Sequence, residues 1–280
     1  MSELSELNKI VKVDNFEIAN NKPFTLMAGP CVLEDKDHAM FMCGELVKIT
    51  KELGINLIYK SSYDKANRTS INAQRGLGIK ESMKVFQDIK DKFGIPVVTD
   101  VHEPSHCAEI AETVDVLQIP AFLCRQTDLL LAAGNTGKAI NVKKGQFLAP
   151  WDMTNIVSKL ESTGNKNIML CERGASFGYN NLVVDMTTFP IMAQTGYPVI
   201  FDATHSVQKP GGLGGSTGGN REFAPILARG ALAIGVAGIF MEVHQDPDNA
   251  PSDGPNMVKL EDTKKILSDF IKFDTLSKSL

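Results

Sequence analysis

Three cations stand close together in the stretch Tyr59-Lys60-Ser61-Ser62-Tyr63-Asp64-Lys65-Ala66-Asn67-Arg68-Thr69-Ser70. Lys60, Lys65 and Arg68 can neutralise anions, while Asn67, Thr69 and Ser70 can hydrogen-bond phosphate oxygens or sugar hydroxyls. The run directly follows Ile55-Asn56-Leu57-Ile58, a segment of strand character. A strand end loaded in this way suits a small, highly anionic substrate. The plain alternative is a solvated basic turn, in which such charges do little.

The elements that position these residues repeat along the chain. Short apolar runs rich in Val, Ile and Leu occur at Phe24–Ala28, Asn56–Lys60, Pro96–Val101, Val116–Pro120, Ala139–Lys143, Ile168–Glu172, Pro198–Ala203 and Gly238–Val243. Strands buried on both faces read this way. Amphipathic stretches lie between them, among them Ala39–Leu53, Gly78–Phe93, Pro104–Thr113 and Thr154–Ser162. Gly54, Gly94, Gly164 and Gly196 are candidate helix stops. Eight strand-helix units predict an α/β protein, a (β/α)8 TIM barrel. A doubly wound open sheet is the runner-up, although no Gly-x-Gly-x-x-Gly turn follows the first strand. Ile10–Val13 and Phe16–Ile18 predict a short N-terminal β-hairpin, within an extension over residues 1–23, that caps the bottom of the barrel. No composition break divides residues 1–280.

Barrel chemistry collects at the carboxyl ends of the strands, and here nearly every strand ends in polar residues. In chain order these are Cys31 and Glu34; Lys60 and Ser62; Asp100, His102 and Glu103; Gln118; Lys143 and Lys144; Glu172 and Arg173; Asp202 and His205; Glu242 and His244. One subset is cationic: Lys60, Lys65, Arg68, Lys143 and Arg173, joined by Arg125. So much positive charge in one mouth repels itself, which implies at least two anionic groups on the ligands. A second subset consists of metal-ligand types: Cys31, His205, Glu242 and Asp253. Closure of a barrel sets its last strand beside its first, so these four could meet. A thiolate, an imidazole and two carboxylates suit Zn, Fe, Mn or Co rather than Mg or Ca. Spacing alone leaves the metal open, since a buried Cys, a satisfied His and surface acids are equally ordinary. The glycine-rich run Gly211–Gly219 lacks the ending of a P-loop; it could cradle phosphate through backbone N–H groups or be a plain flexible surface loop, but its glycines favour a mobile lid.

Bulk properties narrow the classes. A net charge of -4 over 280 residues argues against a nucleic-acid surface. No apolar run is long enough to span a bilayer, and the polar, acidic start is unlike a signal peptide. Cys43, Cys107, Cys124 and Cys171 have no framework spacing and read as small core hydrophobes in a reducing cytoplasm.

As an ordered set, several motifs resemble the 3-deoxy-D-manno-octulosonate 8-phosphate synthase family. They are Ala28-Gly29-Pro30-Cys31, Lys65-Ala66-Asn67-Arg68-Thr69-Ser70, Thr99-Asp100-Val101-His102-Glu103, Gln118-Ile119-Pro120-Ala121-Phe122 and Asn141-Val142-Lys143-Lys144. Further along come Cys171-Glu172-Arg173-Gly174, Phe177-Gly178-Tyr179, Asp202-Ala203-Thr204-His205-Ser206-Val207-Gln208 and Ser252-Asp253-Gly254-Pro255. The resemblance implies a (β/α)8 barrel that condenses phosphoenolpyruvate with D-arabinose 5-phosphate. It also implies a cytoplasmic homotetramer with small-molecule substrates and neither membrane nor nucleic-acid partners. Lys60, Gln118, Ala121, Lys143 and Arg173 would hold the enolpyruvate. Lys65, Asn67, Arg68, Thr69, Ser70 and Gln208 would hold the sugar phosphate, with Arg125 reaching a neighbouring subunit's site. Catalytic roles would fall to Lys60, Lys65, Asn67, Asp100, Cys31 and His205. Cys31 marks the metal-dependent branch, whose metal-free counterpart has Asn there. The implied cofactor is therefore a divalent ion on Cys31, His205, Glu242 and Asp253, with no organic cofactor. The related heptulosonate 7-phosphate synthases, which use erythrose 4-phosphate, typically carry Lys-Pro-Arg where this chain has Lys65-Ala66-Asn67-Arg68. A non-catalytic sugar-phosphate-binding barrel is the reading of another class.

Overall fold

A computed structural model of the chain describes residues 8–68, 70–211 and 218–280. A hairpin of β1 (Val11–Val13) and β2 (Phe16–Ile18) comes first. Eight parallel strands follow: β3 (Thr25–Gly29), β4 (Leu57–Lys60), β5 (Val97–Asp100), β6 (Val116–Ile119), β7 (Ala139–Lys143), β8 (Ile168–Glu172), β9 (Val199–Asp202) and β10 (Gly238–His244). Each pairs with the next, and β10 returns to β3 through a five-residue register from Gly238↔Thr25 to Glu242↔Gly29. The sheet is closed, so the open-sheet alternative is excluded.

Helices α1 (Lys36–Leu53), α2 (Ile79–Phe93), α3 (Cys107–Ala111), α4 (Thr127–Gly134), α5 (Met153–Glu161), α6 (Thr188–Ala193), α7 (Ala224–Ile234) and α8 (Leu260–Lys278) surround the strands. The first helix starts three residues before the predicted Ala39. Asp35 caps it, its carboxylate accepting the His38 N–H at 2.8 Å. Gly54 and Gly94 close α1 and α2 in the left-handed conformation, as their sequence positions predicted. The predicted third helix is split: Pro104–His106 form a 3-10 turn ahead of α3. Among the described residues no helix is long and apolar enough to cross a membrane.

Two apolar compartments result. The larger lies between the strands and the helices and contains Cys43, Cys107 and Cys124. The smaller fills the inside of the barrel. Val11, Val13 and Ile18 of the hairpin pack there on Met27, Ile58, Val98, Val116, Ala139, Met169, Cys171, Ile200 and Phe240. The hairpin is thus a plug at the amino-terminal end of the barrel.

Alternation along each strand then decides what the upper end presents. Side chains two residues apart share a face. Stepping by two from the inner apolar layer leads from Ile58 to Lys60, from Val98 to Asp100, and from Val116 to Gln118. The same step leads from Ala139 through Asn141 to Lys143, from Cys171 to Arg173, from Ile200 to Asp202 and from Phe240 to Glu242. The polar mouth is the next layer of the same pleat. On β3 the inward step passes through Gly29, where an added Cβ would lie 2.0 Å from the Lys60 carbonyl oxygen. Only glycine allows β3 and β4 to approach so closely.

Candidate active site

The inward layer is a charged, deeply buried assembly. Lys60 and Glu242, each 1% exposed, form an ion pair of 2.8 Å, and Lys60 also donates to the Cys31 carbonyl at 3.1 Å. Lys65 reaches the same carboxylate oxygen at 3.7 Å. Lys143 pairs with Asp202 at 2.5 Å and stands 3.7 Å over the centre of the Phe240 ring. Arg173 donates through Nη2 to Gln208 at 2.6 Å, while its buried Nη1 has no partner among the described residues. Gln208 in turn donates to Asp253 at 2.9 Å, so one amide links the arginine to the acidic loop.

The three lysines are thus set against the protein's own carboxylates, Lys60 and Lys65 on Glu242 and Lys143 on Asp202. Arg173 and Arg68 form no ion pair among the described residues, the former bonding Gln208 and the latter Ser252 and the Pro251 carbonyl. Burial alone would raise the Asp100 carboxyl, but Lys60 and Lys65 outweigh it and hold the group well below the usual carboxylate range. Glu242 behaves likewise, with Lys60 and His205 outweighing burial, as does Asp202 beside His205 and Lys143.

A hydrogen-bonded chain crosses the mouth on the opposite side. Ser62 bonds Asp100; Asp100 accepts from Gln118 at 2.5 Å; Gln118 accepts from Asn141 at 2.9 Å. Ser62 was legible only as a strand end and Asn141 only as part of a motif. Asp202 also carries more than its position suggested, since it accepts the His205 backbone N–H at 2.9 Å and stands 2.8 Å from His205 Nδ1.

Beside the cations lies a candidate metal centre. Cys31, Glu242 and Asp253 each offer a ligand atom, all within 4.8 Å of one another. The Cys31 thiol donates to Asp253 at 3.1 Å, and burial together with Glu242 pushes its pKa well up. Glu242 Oε2 is buried without a hydrogen-bond partner among the described residues. Asp253 is held in the left-handed conformation at φ 52°, a sparsely populated state for a non-glycine residue that collects at functional sites. His205 stands outside this trio, its Nε2 3.6 Å from Glu242. Its Nδ1 faces Asp202, the arrangement by which carboxylates orient imidazole ligands. An unsatisfied carboxylate oxygen, a thiol against a second carboxylate and an oriented imidazole fit a divalent ion.

A second trio, Glu34, His38 and His244, is equally compact. There, His244 Nδ1 accepts the Asp246 backbone N–H at 3.0 Å, so Nε2 carries the ring hydrogen and gives it to Glu34 at 2.8 Å. With both ring nitrogens occupied, the trio acts as a brace between the loop after β3 and the end of β10.

The remaining predicted residues are placed less centrally. Arg68 bonds Ser252 at 2.7 Å and the Pro251 carbonyl at 3.1 Å, which brings it to the loop that carries Asp253. Asn67 is exposed, and among the described residues the Ser70 hydroxyl meets only the Asn72 N–H. Ala121 opens a 3-10 turn beyond β6, where the leading N–H groups have no partner inside the turn. Arg125 is exposed and its side chain joins none of these pairs among the described residues. Thr69 and Gly212–Thr217, the centre of the predicted lid, lie outside the described residues. Gly218–Gly219 pair with Gln208–Lys209 at its base.

Comparison with known proteins agrees with this architecture. The DAHP synthetase I family matches residues 8–278. The chain belongs to that family. Its relatives carry a narrower name, 2-dehydro-3-deoxyphosphooctonate aldolase. One from Bartonella henselae is 60% identical over 275 residues, 98% of this chain and 99% of the relative. One from Rickettsia bellii is 61% identical over 272 residues, 97% and 99% of the two chains. One from Brucella anthropi is 58% identical over 277 residues, 99% and 100%.

Proposed function

We propose that this chain condenses phosphoenolpyruvate with D-arabinose 5-phosphate and water, giving 3-deoxy-D-manno-octulosonate 8-phosphate and inorganic phosphate. The product class is that of the lipopolysaccharide inner-core sugar. The observation that carries the reading is the convergence of Lys60, Lys143 and Arg173 in one buried mouth beside Cys31, Glu242 and Asp253. It is supported by relatives at about 60% identity that bear the aldolase name.

In this reading Lys143 and the unpartnered Arg173 Nη1 take the enolpyruvate phosphate, with Lys60, Gln118 and the Ala121 turn around the carboxylate. Lys65, Asn67, Arg68, Ser70 and Gln208 hold the sugar phosphate and its hydroxyls. The third carbon of the enolpyruvate attacks the sugar aldehyde and forms the new C–C bond. Water adds at the second carbon, and the C–O bond to phosphate breaks with its electron pair leaving on phosphate. One proton of the water ends on the new hydroxyl and the other leaves with phosphate. Fixed cations offset the charge that develops without having to reorganise. Asp100, anchored by Ser62 and Gln118, keeps a carboxylate between Lys60 and the strand that bears Lys143.

A divalent ion is proposed on Cys31, His205, Glu242 and Asp253. When bound, such an ion polarises a carbonyl oxygen or acidifies water. Assembly as a homotetramer in the cytoplasm is also proposed. Exposed Phe122, Phe147 and Trp151 on the turns after β6 and β7, with Phe122 three residues from Arg125, support a contact between subunits.

The test follows the enolpyruvate ultraviolet absorbance with purified protein. Loss with arabinose 5-phosphate, none with erythrose 4-phosphate, and arrest by a chelator that also strips the metal are expected. Loss with the tetrose alone would move the chain to heptulosonate synthesis. Full turnover at confirmed zero metal would remove the ion from the proposal.

A further inference from the structure

Lys144 and Glu172 are each 1% exposed, yet neither faces the mouth. Strand alternation turns Lys143 and Arg173 inward and sends their neighbours Lys144 and Glu172 to the outside of the barrel wall. There the Lys144 ammonium donates to the Leu148 carbonyl at 3.0 Å and the Gly145 carbonyl at 3.4 Å, and forms an ion pair with Glu172 Oε2 at 3.3 Å. Glu172 Oε1 accepts the Gly174 N–H at 2.5 Å. Gly174 is left-handed at φ 90° and is the residue immediately after Arg173. The Lys144 backbone N–H donates to the Cys171 carbonyl at 2.7 Å, which joins the same two strand ends.

Two apolar side chains of similar volume would fill this space at least as stably, because burying both charges costs desolvation. What an apolar pair cannot supply is direction. The ammonium fixes the Gly145–Leu148 turn beyond Lys143, and the carboxylate fixes the backbone turn beyond Arg173. We propose that Lys144 and Glu172 are positioning residues that lock the two strand ends from which Lys143 and Arg173 reach the enolpyruvate phosphate. This rests on the phosphoenolpyruvate reading above.

The test compares Lys144→Met, Glu172→Leu and the double variant with the wild type, all full-length and metal-loaded. KM for both substrates and thermal unfolding are measured. Each single variant is expected to raise the phosphoenolpyruvate KM by about tenfold or more, with the arabinose 5-phosphate KM moving by less than about twofold. The double variant, with no unpaired charge left, is expected to regain the thermal stability the singles lose but not the phosphoenolpyruvate KM. Should a single variant fail to fold, the double variant carries the comparison. Recovery of KM together with stability, or equal rises for both substrates, would reduce the pair to a packing element. An active wild type with unmoved variants overturns this inference alone; a wild type that consumes no phosphoenolpyruvate overturns both it and the function.

Discussion

The two ends of one barrel are built from the same strands on opposite principles. At the amino-terminal end Val11, Val13 and Ile18 plug the interior against Met27, Val116 and Ala139. At the carboxyl-terminal end the same inward faces present Lys60, Asp100, Lys143, Arg173, Asp202 and Glu242. The first arrangement gains free energy from every methylene buried. The second buries charges whose desolvation is only offset by pairing. The contrast assigns stability to the plug and chemistry to the mouth, and substitutions can separate the two.

The largest effect is expected from Arg173→Met. The guanidinium is buried with Nη1 unpartnered and only Gln208 on Nη2, so its removal leaves no carboxylate stranded. Loss of one preorganised cation should lower kcat/KM by roughly 100- to 1000-fold, while denaturant stability holds or rises, as expected where a site is kept at the expense of stability. Steady-state kinetics and urea unfolding on the same preparation check both halves. A variant that loses activity and stability together would mean that Arg173 holds the barrel.

Ile18→Ala at the plug should do the reverse. Ile18 is fully buried, and truncation should cost about 3 kcal/mol in unfolding free energy. kcat should stay within about twofold of wild type below the unfolding transition, because the inner apolar layer of Met27, Ile58, Val98 and Phe240 lies between the hairpin and the mouth. A marked fall in kcat without loss of stability would show that the plug sets the geometry of the mouth.

The strand repeat was legible because short continuous apolar runs and glycine stops are local signals: the eight barrel strands fall within a residue or two of their predicted runs. Residues at strand ends, such as Lys60, Gln118 and Glu242, were legible for the same reason, since closure must bring them together. Pairing was not. Nothing in the sequence says that Lys143 meets Asp202 at 2.5 Å or that Lys60 meets Glu242 at 2.8 Å. Lys60, Lys65 and Lys143 therefore meet carboxylates that their sequence positions did not announce, whereas Arg173 meets only the Gln208 amide. Asn67 and Ser70 belong to a loop whose contacts are not fixed by strand geometry. They gave the densest sequence signal yet are among the least engaged of the predicted residues within the chain.

The smallest effect should come from the rim that joins the two subsets. Glu34 accepts from His244 Nε2 at 2.8 Å, and the His38 ring lies 4.9 Å from that of His244. Glu34 lies three residues past Cys31, and His244 two residues past Glu242. The contact therefore ties together the two segments that bring the proposed thiolate and carboxylate ligands to one point. Glu34→Gln keeps the size and an acceptor oxygen but removes the charge, so the brace weakens without a steric change. Partners of this outer kind cost about 10- to 100-fold in metal affinity when they touch a ligand directly. This one acts through a few residues of backbone, and a loss of about threefold to tenfold is expected from the same principle. Competition with a chromophoric chelator measures it, with kcat at saturating metal as the control. Unchanged affinity with lowered kcat would place the brace in the chemistry rather than in metal retention. An affinity loss as large as that of Cys31→Ala would place Glu34 or His244 among the ligands themselves.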